Sequence, residues 1–125
     1  MKIRMRNTIQ FGEQLEVVDQ LYEVEVRKKG DYRYLLFYNE EKEKVVLKFD
    51  DKELIMTRFS TPKTIMRFLK GTDSLAYIPT PMGLKEFIIQ TSHYEVGEEK
   101  IELAYQLQNK EGLPFADYQL EITWG

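Results

Sequence analysis

Apolar and polar side chains alternate at period two along several long stretches of this chain, and little besides a β-strand can use such a pattern. Ile3, Met5, Ile9 and Phe11 share one parity, while Lys2, Arg4, Arg6, Thr8 and Gln10 occupy the other. Tyr22, Val24 and Val26 alternate with Glu23, Glu25 and Arg27, and Ile101, Leu103, Tyr105 and Leu107 with Glu102, Gln106 and Gln108. The closing run sets Tyr118, Leu120, Ile122 and Trp124 against Gln119, Glu121 and Thr123. Successive side chains of a strand point to opposite faces, so each run predicts one buried and one wetted face.

Further strands are expected over residues 32–39, 44–49, 53–59, 64–70, 74–78 and 84–94, several with apolar groups on both faces. Turn residues separate them: Lys28-Lys29-Gly30-Asp31, Asn39-Glu40-Glu41-Lys42, Asp50-Asp51-Lys52, Gly71-Thr72-Asp73, Pro79 to Gly83, Val96 to Glu99 and Asn109 to Gly112. No segment shows helical periodicity. Residues 60–69 come nearest, and their β-branched and aromatic content favours a strand. Short strands with turns every 8–12 residues or so predict an all-β sandwich or barrel built of hairpins. A barrel is expected, because about ten strands in two open sheets would leave unpaired edges that closure removes. Residues 1–125 thus read as one small antiparallel β-barrel domain of about 8–10 strands.

Composition narrows the functional classes. At 42% hydrophobic and 13% aromatic, the chain of 125 residues has the apolar content to bury a core without help. There is no cysteine, which removes disulfides, thiol catalysis and Cys-ligated metals and fits a reducing, cytoplasmic setting. No apolar run suits a secretory signal or a membrane span. The net charge of −3 gives no long-range attraction to nucleic acid. The chain also lacks a glycine-aromatic recognition motif, so nucleic acid is not an expected partner.

No catalytic motif, metal-ligand spacing or cofactor signature is present. His93 is the sole histidine, and Ser92 beside it falls on the opposite face of an ideal strand, which argues against a dyad. Haem or zinc ligation by this one histidine is not expected, because no recognisable metal-ligand pattern accompanies it. Asp50, Asp51 and Glu53 lack calcium-loop spacing and read as a solvated hairpin tip. Arg58, Lys63 and Arg67 flank a predicted turn. If they meet across a hairpin, two guanidinium groups could clamp a carboxylate or phosphate. Tyr22, Tyr34, Tyr77, Tyr105 and Tyr118 are read as inward-facing, each offering apolar area with one polar tip.

Over most of its length, and most clearly from Glu53 onward, the chain resembles the YwiB-like family of uncharacterised bacterial proteins. The resemblance rests on Arg58, on Lys63 to Gly71 with Arg67-Phe68 inside it, on Ile101-Glu102-Leu103-Ala104-Tyr105 and on Leu120-Glu121-Ile122-Thr123-Trp124-Gly125. It departs at Ser60, where the family carries glycine. The resemblance implies a calycin-type, lipocalin-like barrel with no assigned function and no known catalytic residues. Two non-enzymatic readings follow. In one, the barrel interior holds a small amphipathic or acidic ligand, with Arg58, Lys63 or Arg67 at its charged end and Tyr77, Tyr105 and Trp124 along its apolar part. In the other, outward apolar positions such as Leu35 and Phe37 form a homodimer or partner interface.

Overall fold

A computed structural model describes all residues 1–125 as eleven β-strands without a helix. They are β1 (Lys2–Phe11), β2 (Gln14–Glu23), β3 (Glu25–Lys29), β4 (Tyr32–Tyr38), β5 (Lys44–Phe49) and β6 (Glu53–Arg58). β7 (Thr64–Leu69), β8 (Asp73–Thr80), β9 (Gly83–Val96), β10 (Lys100–Asn109) and β11 (Pro114–Trp124) follow. No helix is long and apolar enough to cross a membrane. The alternating runs form strands as expected, but the run from Tyr22 to Val26 spans a bend. Val24 interrupts it, and β2 begins far upstream at Gln14.

The strands form two antiparallel sheets, ordered β2-β1-β11-β10-β9-β8 and β3-β4-β5-β6-β7. This corrects the expected closed barrel. The chain passes between sheets at Val24 and again at Lys70 to Thr72, and only an isolated bridge between Leu69 and Thr72 marks the second seam. No ladder runs across either seam. The edge argument for closure fails because the edges are handled in other ways. The chain itself joins the sheets at both seams, edge strand β3 carries Arg27, Lys28 and Lys29, and side chains bridge the β2 edge. There Gln20 Nε2 and the Tyr22 hydroxyl both donate to Glu40 Oε1, each at 2.6 Å.

Turn chemistry sets the hairpins. Gly12 and Gly30 adopt φ of +62° at the first position of two-residue loops closed by Phe11↔Gln14 and Lys29↔Tyr32, a backbone state that glycine takes without steric cost.

A continuous cluster of 19 buried residues fills the space between the sheets. Phe49, Phe68, Ile3, Leu35, Leu47, Leu54, Ile89, Ile101 and Ile122 are fully buried. Rings stack through it: Tyr105 lies 4.6 Å from Tyr118 and from Phe68, and Phe49 lies 5.5 Å from Trp124. Leu35 and Phe37 belong to this core, so they are not the outward interface the sequence suggested. On β4 the outward parity belongs to Tyr34, Leu36 and Tyr38 instead. Tyr34 is therefore outward too, and so is Tyr77, because its neighbour Ala76 faces the core.

Candidate functional site

Strands of the six-stranded sheet reach 14 residues, whereas none in the five-stranded sheet exceeds seven. At about 3.3 Å per residue the longer hairpins overhang the shorter sheet, and apolar side chains near their tips are left without cover. Phe11 and Phe115 are each about half exposed, and Met82, Leu84 and Leu113 are more so.

A backbone irregularity gathers the rings. In the β10–β11 pair Leu107 opposes Ala116 and Gln108 opposes Pro114, so Phe115 is the extra residue of a bulge. Bulges redirect a side chain that regular alternation would send elsewhere. The Phe115 ring meets Phe11 edge-on at 5.0 Å and Phe87 at 5.6 Å. Beside it lies a groove of about 580 Å³ walled by Met82, Leu84, Phe87 and Phe115, with Thr80 and Asn109 at the loop bases. Lys85, Glu86, Lys110 and Glu111 complete the wall.

The loops framing this groove are held by their own polar side chains. Asn109 Oδ1 accepts from the backbone N–H groups of Glu111 and Leu113, both at 3.0 Å. Thr80 Oγ1 donates to the Gly83 carbonyl at 2.7 Å and accepts from the Met82 N–H at 3.2 Å. Such side-chain-to-backbone bonds fix turns locally. Tyr77 stands opposite Glu86 across β8 and β9, and a hydrogen bond to that carboxylate raises its phenol above the usual tyrosine value. Apolar walls with a few charged groups can hold an amphipathic molecule whose polar end stays at the surface.

The residues singled out from sequence are dispersed. Arg58 opposes Thr64 and Arg67 opposes Ile55, so the two arginines lie three ladder positions apart on opposite faces of the sheet. They cannot form the proposed clamp. Arg67 Nη2 instead donates to Glu53 Oε1 at 3.0 Å, and Arg58 Nε lies 3.9 Å from Glu43. Lys63 sits 5.6 Å from the centre of the Phe59 ring. Tyr105 and Trp124 are packed into the core. Of the set, only Tyr77 adjoins the groove, through Glu86. Its walls escaped the sequence reading because Phe115 follows no regular parity and Met82 sits in a turn. The nearest signal in the sequence was the recurrence of phenylalanine and leucine beside predicted hairpin tips.

Ser92 and His93 also differ from expectation. Ala104 pairs with His93 and Tyr105 with Thr91, leaving Ser92 as a bulged residue. Parity resets there, and both side chains are exposed on the outer face while Thr91 and Tyr94 face the core. Ser92 Oγ donates to the Ala104 carbonyl at 3.3 Å rather than to the imidazole.

Comparison with known proteins agrees with this architecture. The crystal structure of YwiB protein from Bacillus subtilis superposes with a TM-score of 0.79 at 21% identity, covering 99% of this chain and 90% of that one. None of the curated proteins matches the chain. The family model described as domain of unknown function DUF1934 matches residues 3–122, and the chain therefore belongs to that family, as a YwiB-like domain.

Proposed function

We propose that this protein is a non-enzymatic binding module whose site is the groove at the overhanging hairpin tips, and that it takes a small amphipathic molecule with an acidic head. The observation that carries this reading is the bulged Phe115, which joins Phe11 and Phe87 around one apolar wall. Lys85 and Lys110 beside it supply positive charge for an anionic end. The filled core argues for a site at the end of the sheet rather than inside it. Met82, 84% exposed, adds a flexible and polarizable contact of the sort found at adaptable binding surfaces.

Fluorescence titration with 8-anilinonaphthalene-1-sulfonate, an anionic aromatic probe, tests it. Saturable one-to-one binding is expected, weakened about tenfold by Phe115→Ser, a loss of ~1.4 kcal/mol, and also weakened by Lys110→Glu. Equal affinity of the wild type and Phe115→Ser proteins for the probe would remove the groove from consideration.

A second reading is self-association through β2, favoured by a different observation. This edge strand is 10 residues long, contains neither lysine nor proline, and exposes Leu15, Val17 and Leu21 on one face. The Glu40 bridge covers this edge only at Gln20 and Tyr22, and an edge without lysine or proline over its remaining length can pair with another strand.

A further inference from the structure

Apart from the groove, one group of side chains on the outer face of the six-stranded sheet has the composition and spacing of a ligand set. We infer that His93, Glu95 and Glu102 form a binding site for a borderline divalent transition metal such as Zn²⁺. His93 Nε2 lies 3.5 Å from Glu95 Oε2 and 3.9 Å from Glu102 Oε2. All three donor atoms fall within 4.8 Å of one another. Donors bound at 2.0–2.2 Å to a tetrahedral zinc stand ~3.4 Å apart, so small side-chain rotations would suffice to close the set. One imidazole with two carboxylates suits zinc and its neighbours better than magnesium or calcium, which prefer oxygen alone.

Two independent features of the fold build this arrangement. Regular alternation puts His93 and Glu95, two positions apart on β9, on the same outer face, and the antiparallel ladder sets Glu102 opposite Glu95 on β10. Cross-strand pairing thereby adds a second carboxylate to the His93 and Glu95 pair. Lys100 Nζ holds the other carboxylate oxygen of Glu102 at 2.5 Å, which orients Oε2 toward the imidazole. His93 and Glu102 also line a depression of about 530 Å³ floored by Ala104, the small residue paired with His93. That space leaves the fourth coordination position open to solvent or to a bound anion.

The sole histidine gives the test a direct readout. Zn²⁺ titrated into the intact chain is followed through the imidazole C–H resonances, which belong to His93 alone, and by calorimetry. Saturable binding at one ion per chain, with those resonances shifted, is the expected result. Glu95→Gln and Glu102→Gln should each weaken binding by at least the 10- to 100-fold or so that altering a supporting group around a metal costs. Both positions are partly exposed, so folding should be retained and is checked by melting temperature. Imidazole resonances that stay in place under excess Zn²⁺, or an affinity equal to wild type in both glutamine variants, would overturn the assignment. The cluster would then be an ion-pair network only. Binding of the sulfonate probe to the groove is independent of either outcome.

Discussion

Arg33 on β4 joins the two sheets at one end of the molecule. Its Nη1 and Nη2 donate to the carbonyls of Glu98 and Gly97, each at 2.7 Å, and its guanidinium lies 4.8 Å from the Phe49 ring centre and 5.7 Å from that of Trp124. One planar cation thus caps the core and fastens the β9–β10 turn to the opposite sheet. Lysine lacks the fork geometry needed to hold both carbonyls. Arg33→Lys should destabilise the fold by about 1.5–3 kcal/mol, the range for hydrogen bonds made by charged groups, read as a lowered urea midpoint with an unchanged slope. An unchanged midpoint would show that solvent serves those carbonyls equally well. Arg33 shares the parity of the core residues Leu35 and Phe37, but the sequence does not show what it caps. Its partners are more than 60 residues away in the chain.

Among the elements, β2 and β11 carry the functional argument. β2 keeps Val18, Gln20 and Tyr22 toward the sandwich and turns Leu15, Val17, Asp19 and Leu21 outward. Asp19 is satisfied there by Arg4, whose guanidinium holds its carboxyl below the usual carboxylate range. The apolar residues beside it, Leu15, Val17 and Leu21, stand exposed. If β2 pairs with its copy about a two-fold axis, Val17→Lys should shift the protein from dimer to monomer in sedimentation equilibrium, since charged edge residues block strand addition. A wild type that sediments as a monomer at all concentrations would dismiss this reading. In β11 the alternation from Tyr118 to Trp124 was legible from sequence, because every second residue there faces the core. Phe115 was not legible, since a bulge breaks the period on which such a reading depends.

For the molecule as a whole, buried tyrosines set a boundary on stability. Burial raises the phenols of Tyr94, Tyr105 and Tyr22 above the ordinary tyrosine value, with Asp50 adding to the effect at Tyr94 and Glu40 at Tyr22. A raised native pKa means the folded state holds its proton more tightly than the unfolded chain does. The stabilisation is therefore complete below about pH 10, where unfolded tyrosine titrates, and is lost as pH rises beyond it. Melting temperature should fall steeply above that pH. Tyr94→Phe should lower stability at neutral pH, where the hydroxyl serves the carbonyls of Asp50 at 2.7 Å and Glu53 at 2.9 Å, and should flatten the alkaline decline. A decline of equal slope in the variant would assign it to other groups. Period-two alternation was enough to establish the all-β character and the sidedness of β10 and of β11 from Tyr118 to Trp124, because it records burial one residue at a time. Only the folded chain reveals that the sheets stay open at two seams, that Arg58 and Arg67 face apart, that Phe115 turns toward Phe11 and Phe87, and that Glu102 comes to lie beside His93 and Glu95. Those outcomes depend on register, bulges and unequal strand lengths, which couple residues distant in the chain and leave no periodic trace in it.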